Sequence, residues 1–67
     1  MEYRKENRNA LRSKRLIREA FFALLKEKEL EKIMVRQIAD RADVNRSTFY
    51  AHYQDIQELV DEIGDEI

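Results

Sequence analysis

Between Met34 and Tyr53 the chain carries two helical patterns of about two turns each, separated by the three residues "DVN", and no other feature limits the fold so much. In "VRQIADRA", residues 35–42, Val35, Ile38, Ala39 and Ala42 share one face. In the segment that follows, residues 46–52, Phe49 lies one turn before Tyr53, so both point inward. Helices this short, joined by so tight a corner, cannot lie side by side as a long hairpin and must cross steeply. Ala39 is small where the second helix has to pass closely over the first, and Ile38, Val44 and Phe49 supply an apolar lock behind the corner. Asp43 stands where such a corner needs a left-handed residue, a conformation that aspartate tolerates better than most side chains. Asn45 is placed to cap the amides of the next turn.

The flanking segments are helical as well. From residue 10 to about residue 29, Ile17, Ala20, Phe21, Leu24 and Leu25 form an amphipathic stripe, with Phe22 beside it and partly exposed. After "QD", Asp55 followed by Glu58 is an acidic analogue of a capping box, and it opens a last helix, residues 56–67, carrying Ile56, Leu59, Val60 and Ile63. Residues 1–9, "MEYRKENRN", have no apolar periodicity and are expected to form a flexible basic arm or a fraying helix start. Proline is absent and Gly64 is the lone glycine, so strand punctuation is missing. The fold class is all-α, a small helix bundle with a helix-turn-helix in residues 10–67. At 67 residues this is one domain with a core near the lower limit for independent folding. No cysteine is present to staple it. No apolar run reaches the length of a membrane span and the amino terminus lacks a signal-peptide core, so a cytoplasmic location is expected.

Net charge is only −1, but its distribution is uneven. Residues 1–18 hold seven Lys/Arg against two Glu, residues 19–53 hold six of each sign, and residues 54–67 hold six acids and no base. One end of the chain is basic and the other acidic, whatever the average. With one histidine, one glycine and no cysteine, the chain lacks a nucleophile and base at recognisable spacing, a phosphate-cradling loop and a zinc cluster. Neither an enzyme nor a cofactor site is expected, and His52 has no second histidine or cysteine with which to hold a metal. If Phe49 and Tyr53 face inward, Ser47 and Ala51 lie outward, with Arg46 and Tyr50 on one border and Thr48 on the other. That face contains no carboxylate in a chain with 14 acids, which suits an anionic partner. Arg46 can pair with a guanine edge, Ser47 and Thr48 can donate to bases or phosphates, the Ala51 methyl suits a thymine methyl, and Tyr50 can reach a phosphate.

The stretch "IMVRQIADRADVNRSTFYAHYQDIQELV" resembles the DNA-binding domain of the TetR family of bacterial transcriptional regulators, and "IREAFFALLKEK" upstream resembles that family's first helix. The likeness spans roughly residues 10–63. It implies a homeodomain-like domain in which Arg36, Arg46, Ser47, Thr48, Tyr50 and His52 face double-stranded DNA, with Arg12, Lys14 and Arg15 as a basic lead-in to phosphates or the adjacent minor groove. It further implies a repressor that acts as a homodimer on a palindromic operator, with its dimerisation domain and small-effector site outside these residues. Three positions depart from the family's pattern. Met34 replaces a capping threonine, for which Gln37 can partly substitute by reaching back to the cap amide. Asp43 replaces a glycine, and Ile56 a lysine that contacts phosphate. A second function class also fits: a helical protein-interaction module built on the polarised ends and the apolar stripe of the last helix. The lost lysine favours it, and the acid-free face opposes it more strongly.

Overall fold

The computed structural model describes the backbone of residues 2–66 and the side chains of residues 10–65. It contains four α-helices, α1 (Glu2–Leu25), α2 (Val35–Ala42), α3 (Arg46–His52) and α4 (Ile56–Glu66), with a 3-10 turn at Leu30–Lys32 between α1 and α2. The described residues include no strand. The bounds of α2 and α3 match the periodicity. Those of α1 do not, because it starts at Glu2 and ends at Leu25. Nothing in residues 2–9 stops a helix, since neither proline nor glycine occurs there. The side chains of the expected basic arm lie outside the described residues. At the other end the amides of Lys26 and Glu27 bond to the carbonyls of Ala23 and Leu24 at 3.2 and 2.9 Å, three residues back, and this tightening closes α1 four residues early.

One side chain from each helix meets at the centre: Ile17, Ile38, Phe49 and Leu59, all at 0% exposure. Each such burial contributes about 1.5–3 kcal/mol. Ala20, Phe21, Leu24, Ala42 and Tyr53 complete the shell with Ile33, which lies between α1 and α2 and belongs to neither helical pattern. Leu25, expected in the stripe, is exposed, because Leu24 takes the last core position and the next 100° step points to water. Phe22 is exposed at the margin, as its position beside the stripe suggests.

The corner between α2 and α3 is set by its backbone. Asp43 has φ 62° and ψ 43°, a left-handed conformation. Its amide bonds to the Asp40 carbonyl at 3.2 Å, and the Val44 amide to the Ala39 carbonyl at 2.9 Å, so α2 ends in a complete Schellman motif. Asn45 occupies the first cap position of α3, but its side chain makes no capping hydrogen bond. Its carbonyl accepts from the amides of Thr48 and Phe49, while the side chain is exposed. The Met34 side chain likewise makes no cap bond at α2, whereas Gln37 Oε1 accepts from the Met34 amide at 2.8 Å as expected. Before α4, Asp55 Oδ1 accepts from the Glu58 amide at 2.9 Å, and Glu58 Oε1 accepts from the Gln54 amide at 2.7 Å, one residue earlier than in a standard box. Arg41 Nη2 and Glu27 Oε2, 2.7 Å apart, tie the end of α2 to the turn after α1.

Candidate nucleic-acid interface

Phe49 and Tyr53 hold α3 by its inner side, and that fixes what the helix shows to solvent. Arg46, Ser47, Tyr50 and Ala51 are exposed. Tyr50 is 55% exposed, and the edge-to-face stack of its ring on Phe49, with centroids 5.5 Å apart, orients the phenol without burying it. Arg36, the second residue of α2, is exposed as well. None of the seven residues of α3 is acidic. A phosphate-bearing ligand therefore meets a cation, two hydroxyl groups and an apolar methyl on this helix with no charge repelling it.

The other expected contacts are placed less uniformly. Thr48 is half-buried and lines a polar groove at the corner with Ser13, Asp40, Asp43 and Asn45, so it faces α1 and two carboxylates rather than the outer side of α3. His52 is half-buried too, in a groove with Ala10, Leu11 and Lys14. Burial, then the charge of Lys14, push its imidazole below the usual value, with Glu62 opposing. Arg12 and Arg15 are exposed on α1, and Arg15 belongs to a neighbouring trough with Leu11, Arg18 and Phe22. Lys14 is not simply solvated. Its Nζ lies 3.0 Å from Glu62 Oε2 and 5.7 Å from the centroid of the Tyr53 ring. The Tyr53 hydroxyl donates to Glu62 Oε1 at 3.1 Å. Residues this far apart in the chain share no periodicity, and for that reason the sequence showed no sign of this three-way contact. Ile56 packs against the core, so α4 starts with an apolar side chain at the helix entrance.

Residues 17–63 match the family model described as bacterial regulatory proteins, tetR family. The chain belongs to the TetR family. Over 47 residues it is 32% identical to the uncharacterized HTH-type transcriptional regulator YxbF of Bacillus subtilis (strain 168), a match that covers 70% of this chain and 12% of that relative. No solved structure matches the chain. The TetR match takes in the whole corner, α3 and most of α4, whereas Arg12, Lys14 and Arg15 precede it. The left-handed Asp43 makes, without glycine, the corner between the two short helices inside that match. No helix among the described residues is long and apolar enough to cross a membrane, and no group of three or more His, Asp or Glu is placed to hold a metal ion.

Proposed function

We propose that this chain binds double-stranded DNA in a sequence-dependent manner as the reading domain of a transcriptional regulator, with α3 entering the major groove. The observation that carries the reading is the exposed, acid-free face of α3, held in a single orientation by the buried Phe49 and by the left-handed corner at Asp43. Arg46 supplies a bidentate donor for a guanine edge, Ser47 and Tyr50 supply hydroxyl groups for bases or phosphates, and Ala51 offers a methyl group to thymine. Arg36, and on α1 Arg12 and Lys14, grip the backbone, which sets register but not sequence. His52 reaches a phosphate from the C-terminal flank of α3 and Arg15 does so from α1, while Thr48, turned toward Asp40 and Asp43, reaches DNA only at the edge of that corner groove. In the full-length regulator two such domains read the halves of a palindromic operator as a homodimer, about 34–36 Å apart or a multiple of that, and the regulator represses transcription.

The test is selection of this chain on a pool of random duplexes at two salt concentrations, followed by sequencing of what is retained. Enrichment of one short half-site is the expected result. Retention without enrichment would reduce the function to electrostatic binding. A second reading, a protein-interaction module, draws on the polarised ends and on the apolar stripe of α4, of which Leu59 is buried and Ile56, Val60 and Ile63 are half-buried, and with them on the exposed Leu11, Phe22 and Leu25 of α1; failure of any duplex to be retained at low salt would favour it.

A further inference from the structure

From Gln54 onward the chain has six acidic side chains and no basic one, and the fold brings one of those acids, Glu62, to Lys14 of the basic α1. The contact is specific. Glu62 sits between two partners, taking the Lys14 ammonium on one oxygen at 3.0 Å and the Tyr53 hydroxyl on the other at 3.1 Å. Tyr53 is buried directly after α3, so it holds the Glu62 carboxylate in place from the core side. Lys14 also lines the groove at the C-terminal end of α3 that contains His52, so an anion reaching that groove meets both side chains. The Lys14 and Glu62 side chains remain 38% and 27% exposed, which leaves water and a phosphate access to the pair. The electrostatic environment of His52 agrees with this geometry, since Lys14 and Glu62 act on it with opposite signs.

We infer that Glu62 is an intramolecular competitor for Lys14, occupying the ammonium that a DNA phosphate would otherwise take, so that the seating of α4 sets how strongly the domain grips the DNA backbone. The inference rests on the DNA-binding reading and adds to it a regulatory contact within the domain. A carboxylate 3.0 Å from the ammonium opposes its field in the groove and repels an incoming phosphate. Any movement of α4 that withdraws Glu62 restores one full positive charge beside α3. Tyr53 then keeps its place in the core, so the recognition helix need not move for the grip to change.

The experiment is a salt series of duplex binding by fluorescence anisotropy with the wild-type chain, Glu62→Gln, Lys14→Gln and the double variant. Gln retains an acceptor for the Tyr53 hydroxyl. Glu62→Gln is expected to bind about three-fold tighter at low salt, with a salt dependence steeper by about one counterion, and the double variant to bind no better than Lys14→Gln. Unchanged or weaker binding by Glu62→Gln overturns the inference. So does a gain that persists in the Lys14→Gln background, which would reflect net charge alone. If Glu62→Gln fails to fold by circular dichroism, Glu62→Asp, which draws the carboxylate back by one methylene, must show a gain of the same sign, and its absence counts against the proposal. If no form binds duplex, the DNA reading fails by itself, and heparin becomes the probe. A Lys14-dependent gain on heparin upholds the competition, and no gain refutes it.

Discussion

Arg46 leaves α3 at its first turn, exposed and at the border of the acid-free face. On a guanine edge its two parallel hydrogen bonds would contribute discrimination as well as affinity. Arg46→Ala is expected to weaken binding to a selected site by about 1–3 kcal/mol and to relax preference at one base pair. Competition with single-base variants of the site checks this, and an equal loss on every variant would place Arg46 on phosphate instead. His52 presents a different test. Its imidazole is held below the usual 6.5, chiefly by burial and then by Lys14. The unfolded chain therefore binds more protons than the folded one just below pH 6.5, and the contribution of neutral His52 to stability is lost as pH falls through the folded value. Thermal melts between pH 7 and 5 should show a larger drop for the wild type than for His52→Asn, and parallel drops would remove His52 from the account.

The elements owe their ends to backbone geometry more than to side-chain caps. The periodic spacing of Val35, Ile38, Ala39 and Ala42, and of Phe49 and Tyr53, was enough to delimit α2 and α3, because a face that must be buried in so small a core leaves its period in the residues. Asp43 was legible for a similar reason, since a three-residue corner admits few conformations. The ends of α1 and the idle side chain of Asn45 were not legible, because both depend on whether water or a neighbouring carbonyl satisfies a local group, and that choice leaves no pattern. Asp43→Gly removes the Cβ from a left-handed backbone and is expected to stabilise the domain by about 0.5–1 kcal/mol, read as a rise in Tm of several degrees. A fall would show that the aspartate side chain contributes more than its backbone costs. At the head of α4, Ile56→Lys introduces a positive charge. It should tighten DNA binding at low salt and steepen the salt dependence by about one counterion. Because Ile56 packs against the core, the same change should cost about 1 kcal/mol of stability unless the lysine stem covers the same surface. An unchanged salt slope would place residue 56 away from the DNA backbone.

The centre of the molecule is four fully buried large side chains, one per helix, inside a thin shell of smaller or less central ones, a modest core for 67 residues. The candidate face shares that core: what orients Arg46 and Tyr50 is Phe49, so reading and folding cannot be separated on α3. The Lys14, Tyr53 and Glu62 contact could not be foreseen, since it exists only once the two ends of the chain have been brought together. α4 is held by Leu59 in the core, by the half-buried Ile56, Val60 and Ile63, and by Glu62 on its two partners. Once Leu59 leaves its place, only the half-buried Ile56, Val60 and Ile63 and the two contacts of Glu62 keep α4 on the core. In native-state hydrogen exchange the α4 amides should therefore trade protons for deuterons through a local opening, well ahead of the Ile17 and Phe21 amides in α1, which wait for global unfolding. Equal protection across the two would make α4 part of one cooperative unit. Early exchange would make it a hinged flap, whose open fraction of the time is set by Leu59 and the three half-buried side chains that share its seat.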